Sequence, residues 1–208
     1  MELYFSHALD LSEDLIKTLQ ELTIASNCCN GAEVKELDLS AFANLISFVV
    51  RESCFANVEK CFLVGLHKLE RVKIDKNSFV KSEYDPGDGV DTNRHFRLSD
   101  CENMKELAID GGSFLDYSMC EISNVPLLES IQFGEQSGHF SGCFYWNYIK
   151  LRSDKSVIMS FLDEQNLKSV HIGSGCFCAC SRVVIESECL VSLCWSRFAF
   201  FNTARLEC

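Results

Sequence analysis

The sequence predicts a mainly β fold of about seven stacked coils, with short strands and little helix. One frame recurs seven times: an apolar residue, apolar positions three and five later, and a small residue nine later. The copies start at Leu19, Leu45, Leu69, Met104, Leu128, Leu167 and Leu190. Offsets of three and five fall on one face of a strand, because strand side chains alternate with period two. The starts lie 26, 24, 35, 24, 39 and 23 residues apart, a base period near 24 with insertions of 11 and 15. Self-similarity at that period is the mark of a solenoid.

At the N-terminus, Leu11, Leu15, Leu19 and Leu22 behind Ser12 fit an amphipathic helix. Residues 1–18 are therefore expected to cap the array, and 19–208 to form it. The first inward column is Leu22, Phe48, Val72, Leu107, Ile131, Val170 and Leu193. The second is Ile24, Val50, Ile74, Ile109, Phe133, Ile172 and Trp195. The small position holds Cys28, Cys54, Ser78, Ser113, Ser137 and Cys176, and a phenylalanine follows it in five copies, at 55, 79, 114, 177 and 200. Ahead of four copies, Leu39, Leu63, Leu98 and Ile122, each followed three residues on by Phe42, Leu66, Cys101 or Val125, read as a second short strand and a turn.

Two insertions interrupt the array, near 80–94 and 136–166. The first, KSEYDPGDGVDTNR, has Asp85, Asp88 and Asp91 around a Pro-Gly turn; it lacks the ligand order of an EF-hand and reads as an acidic loop. The second carries Tyr145, Trp146 and Tyr148, which suit an interface anchor or an inserted strand. No polar capping unit follows the seventh copy. Its end, with Trp195, Phe198 and Phe201, is expected either to continue into further repeats or to self-associate.

Seven copies in this register resemble leucine-rich repeats of the surface-antigen-like (BspA-like) class, whose units are similar to L-x-x-I-x-I-x-x-x-x-F. The resemblance runs from Leu19 to Phe200. The asparagine of the ribonuclease-inhibitor type, L-x-x-L-x-L-x-x-N, is missing, so long convex helices are not expected. The resemblance implies binding of a protein or other ligand rather than catalysis, and some members of the class are cell-surface proteins.

Composition narrows the function. A chain of 208 residues that is 47% hydrophobic can bury one real core. A formal charge of −11 repels phosphate backbones, and no basic stripe offsets it, so nucleic acid is not an expected partner. The first residues, MELYFSHALDLSED, show neither a basic leader nor a sustained apolar run, and no segment is long enough to span a bilayer. A cytoplasmic location follows as the expectation. Thirteen cysteines, an odd number, then read as reduced thiols that pack as small apolar groups.

The outward positions of the main strands are the candidate binding surface: Arg51, Arg71 and Lys73 next to Asp75, Glu106 and Asp110, with Gln132 and His171 further along. Cys176, Cys178 and Cys180 alternate on one strand face and form the one thiol cluster that a metal ion could use. No motif of nucleophilic, phosphate-binding or zinc-protease chemistry occurs, and no cofactor is implied. The expected function is a non-catalytic scaffold that binds a protein partner on its main-strand face. Two alternatives stand beside it: a thiol-based metal or redox protein using the cysteine cluster, and a fragment of a cell-surface adhesin.

Overall fold

The computed structural model describes residues 2–3, 12–81, 91–134, 142–144, 158–162, 166–177, 182–185, 191–196, 199 and 206–207. Within them the protein is mainly β, with one short helix, α1 (Glu13–Thr18). The strands begin with β1 (Glu2–Leu3), β2 (Glu21–Ile24), β3 (Glu36–Asp38), β4 (Ser47–Val50) and β5 (Lys60–Val64). They continue with β6 (Arg71–Ile74), β7 (Asp91–Ser99), β8 (Glu106–Ile109), β9 (Tyr117–Ser123) and β10 (Ser130–Phe133). The last five are β11 (Ile158–Leu162), β12 (Ser169–Ile172), β13 (Arg182–Ile185), β14 (Ser192–Trp195) and β15 (Leu206–Glu207).

From β2 onward the chain alternates between two sheets. The even-numbered strands join β1 in an eight-stranded main sheet, and the odd-numbered ones from β3 form a seven-stranded second sheet. All recorded strand pairs are parallel, for instance Leu22 with Phe48, Phe48 with Val72, and Val72 with Leu107. Both inward columns are buried through the sixth copy. The seventh departs from the pattern: Leu193 is half-buried and Trp195 is 55% exposed. Among the described residues β14 is the last strand of its sheet, and Val191 just before it is 86% exposed.

The small position does more than pack. Its side chain donates to a backbone carbonyl of the preceding coil: Cys54 Sγ to Ala25 at 3.0 Å, Ser78 Oγ to Arg51 at 2.9 Å, Ser113 Oγ to Asp75 at 3.1 Å and Cys143 Sγ to Asp110 at 3.0 Å. It also accepts from the preceding coil's backbone, Cys54 N–H to Ser78 Oγ at 3.3 Å and Ser78 N–H to Ser113 Oγ at 3.2 Å. Cysteine and serine share the position because each offers a donor and an acceptor on a short stem. In the fifth copy Cys143 and Phe144 take these places, rather than the Ser137 expected from a fixed count; the insertion begins inside the turn, and Ser137 lies outside the described residues.

On either side of the small residue the backbone is left-handed: Asn27 and Cys29, Ser53 and Phe55, Asn77 and Phe79, Gly112 and Phe114, Gly175 and Phe177. A phenylalanine there costs about 1–2 kcal/mol in strain. Stacking offsets it. Phe55, Phe79, Phe114, Phe144 and Phe177 form one column with successive ring centroids 4.9, 4.6, 5.0 and 5.1 Å apart. Ring pairs of this kind contribute about 0.5–1.5 kcal/mol each beyond the burial of the ring. Phe200, assigned to the same column in the seventh copy, lies outside the described residues.

A second set of bonds joins neighbouring copies in pairs, second to first, fourth to third and sixth to fifth. Asn44 donates to the Lys17 carbonyl at 2.6 Å, Asn103 to His67 at 2.6 Å, and Asn166 to Pro126. Each asparagine stands one residue before its copy's start. The first insertion rejoins the fold as the nine-residue β7, where Arg94 is fully buried. Its guanidinium donates to the carbonyls of Ala56 and Phe79, lies 3.1 Å from Asp116 Oδ2 and sits over the Tyr117 ring at 4.8 Å. Burial raises the Asp116 carboxyl above its ordinary range, partly countered by Arg94. Tyr117 in turn donates to Val58 O at 2.7 Å.

Candidate recognition face

The main sheet turns its outward residues into two registered rows. One runs Glu21, Ser47, Arg71, Glu106, Ser130, Ser169 and Ser192. The other runs Thr23, Val49, Lys73, Ala108, Gln132, His171 and Cys194. Residues just past the strand ends, Arg51, Asp75 and Asp110, lie beside them. All eight candidate residues therefore fall on or beside one face, but they are not equivalent.

The three cations are paired within the face. Arg51 Nη1 is 3.4 Å from Asp75 Oδ2, Lys73 Nζ is 2.9 Å from Asp75 Oδ1, and Arg71 Nε is 3.5 Å from Glu106 Oε2. Each cation is about half exposed or more, at 46%, 52% and 64%, so each pair is worth only about 0.2–1 kcal/mol. The pairs still neutralise the three cations in place. Asp75 is the exception in burial, at 9% of its surface exposed, and its position under two cations explains why a carboxylate is tolerated there. Asp110 also has an interaction partner.

Between β10 and β14 the face changes character. Ser130, Gln132, Gly134, Ser169, His171, Gly173, Ser192, Cys194 and Ser196 carry no carboxylate, lysine or arginine. Gln132 donates to the Gly134 carbonyl at 3.2 Å. His171, half-buried between Gln132 and Cys194, has its Nε2 buried without a hydrogen-bond partner among the described residues. The face thus joins an ion-paired half to a neutral half of short side chains, along strands held in register by backbone hydrogen bonds.

Of the thiol cluster, Cys176 alone is among the described residues. Cys176 is fully buried, and its Sγ accepts the Cys143 N–H at 3.2 Å. Cys178 and Cys180 lie outside the described residues, as do Asp85, Asp88, Tyr145, Trp146 and Tyr148. Among the described residues no group of three or more histidine, cysteine or acidic side chains is placed to hold a metal ion. Burial holds several thiols protonated: Cys29 is raised to about 12, Cys54 and Cys101 to about 11, and Cys61 and Cys143 further. Cys194, on the main-sheet face, is exposed.

Sequence reasoning missed the internal pairing, although its signal was present. Arg51 and Asp75 are 24 residues apart, as are Arg97 and Glu121, and 24 is the base period of the repeat. Comparison of the chain with family models, with characterised proteins and with solved structures finds no match. No helix among the described residues is long and apolar enough to cross a membrane.

Proposed function

We propose that this chain is a non-catalytic interaction scaffold, a leucine-rich-repeat solenoid that binds a protein partner on the outward face of its main sheet. The observation that carries the reading is the face itself: in-register parallel strands whose outward residues are short at Ser47, Val49, Ala108, Ser130 and Ser169, with charges neutralised in place. A partner can approach such a surface closely without stripping water from an unpaired charge. The strands are already ordered, so less conformational entropy is lost on binding than with a loop surface. The period near 24, the alternating sheets and the phenylalanine column support the repeat assignment.

Photo-crosslinking tests this reading. A photoreactive residue at Val49 or Ala108 is expected to capture a protein from native lysate that the same residue at Phe62, outward on the second sheet, does not. Equal capture from both faces, or from Phe62 alone, contradicts it.

A further inference from the structure

A second surface lies away from the main-sheet face, along the turns where the main strands end. It is a groove of about 430 Å³ that crosses four consecutive coils. One wall is the left-handed position ahead of the small residue: Asn27, Ser53, Asn77 and Gly112. The other is the position three residues on: Asn30 in the first coil, then Ala56, Val80 and Leu115. From the second coil on the groove is therefore polar on one side and apolar on the other, and both walls repeat with the coil.

The polar wall is open to a ligand. Asn30, also in the groove, is consumed by the fold: it donates to Ser53 O and accepts from Ala56 N–H. Asn27 and Asn77 are exposed, with side-chain amides engaged in no hydrogen bond to the described residues. A Cβ at Gly112 would overlap the Asn77 side-chain oxygen, so the glycine leaves that amide its place in the groove. Among the described residues no carboxylate lines the groove, and its one cation, Lys81, is held by Asp91 at 2.7 Å. The ligand that fits is uncharged, carries hydroxyl or amide groups along one edge and presents C–H surface along the other.

We propose that this groove binds a short segment of a linear, uncharged oligosaccharide. Repetition selects the polymer. Asn27 and Asn77 stand two coils apart, about 9.6 Å, close to the two-sugar repeat of an extended β-1,4-linked chain, whose successive rings face opposite ways, whereas an extended peptide repeats its facing about every 6.8 Å. Four coils span about 14 Å, the length of roughly three sugars. Each asparagine amide can serve two neighbouring hydroxyls, one as donor and one as acceptor. The apolar wall receives the C–H faces of the rings. The site is separate from the main-sheet face, so either proposal can fail alone.

The test uses the full chain and β-1,4-linked glucose and N-acetylglucosamine oligomers, from dimer to hexamer, titrated by calorimetry or NMR. Binding is expected to tighten with each added sugar up to about the tetramer and then level off. The variant Asn27→Gly with Asn77→Gly removes both amides yet keeps a residue suited to positive φ, and is expected to weaken binding at least about tenfold. Arg97→Ala, on the second sheet, leaves it unchanged. Oligomers tethered to a carrier through their reducing end separate the two sources: equal affinity identifies a glycoconjugate, and loss identifies a free saccharide. The proposal is overturned if neither form binds, if the glycine variant binds as well as the parent, or if an uncharged extended peptide displaces the sugar at lower concentration.

Discussion

The backbone amide of Ser78 donates to the hydroxyl of Ser113, one coil further on, at 3.2 Å. That hydroxyl in turn donates to the Asp75 carbonyl at 3.1 Å. The same relay runs through Ser78, whose hydroxyl accepts from Cys54 N–H and donates to the Arg51 carbonyl, and Cys143 N–H makes the matching bond to Cys176 Sγ. A single repeat position thus ties each coil to its neighbour through a side chain buried with the phenylalanine column.

Removing a link of that relay leaves buried backbone groups unsatisfied. Ser113→Ala is expected to cost about 1–3 kcal/mol, whereas Ser113→Cys should cost well under half as much, because thiols already fill the position elsewhere. Urea denaturation of the two variants measures the difference. Equal losses would mean that volume alone matters at this position.

Phe114 stacks on Phe79 and Phe144 and meets Tyr117 edge-on at 4.7 Å. Its truncation to Ala is expected to cost about 3–5 kcal/mol. Phe55 has one stacked neighbour in the column, Phe79, so Phe55→Ala should cost less. Thermal unfolding of both variants under reducing conditions gives the order.

Arg94 and Asp116 are 0% and 2% exposed and lie 3.1 Å apart. Arg94→Met alone leaves a buried carboxylate and is expected to cost about 3–5 kcal/mol. The double variant Arg94→Met with Asp116→Leu should recover most of that loss. A double-mutant cycle with a coupling near zero would show that the pair does not act as one unit.

Thiol burial has a pH consequence. Cys54 and Cys101 hold their protons in the native state up to about 11, chiefly through burial. Unfolded thiols lose theirs near pH 8.5. Stability from this source is complete below that value and falls as pH rises from there toward 11. Cys54→Ser removes one such group, so its unfolding free energy should decline less over that range, measured in reductant. Alkylation of the native protein near neutral pH should reach Cys194 while sparing Cys54, Cys61 and Cys101, as peptide mapping will show.

The parts of the fold that depend on strict alternation were legible in the sequence. Leu22 through Val170 and Ile24 through Ile172 identify the inward columns because a strand gives every second residue one environment. Local counting failed where the chain leaves that period. Cys143 and Phe144 were displaced by an insertion whose start no composition change marks. Arg94 reads as a surface residue, since its partner Asp116 becomes a neighbour only through the coil. Two signals were readable but unused: Asn or Gly before the small residue, which marks left-handed backbone, and cation–anion pairs one period apart. The groove was not legible, because it arises between two columns that are unremarkable singly.

Internal pairing also changes how the main-sheet face is best tested. Reversing Arg51, Arg71 or Lys73 would set a new anion against Asp75 or Glu106 and disturb the face for reasons unrelated to binding. Added bulk is cleaner. The most direct measurement is partner capture from native lysate, comparing the parent chain with Val49→Arg plus Ala108→Arg, both shown folded by circular dichroism. A second-sheet variant, Arg97→Ala, serves as control. A protein bound by parent and control but lost with the main-sheet variant is the predicted result. Retention of every bound protein by the main-sheet variant would contradict recognition through that face.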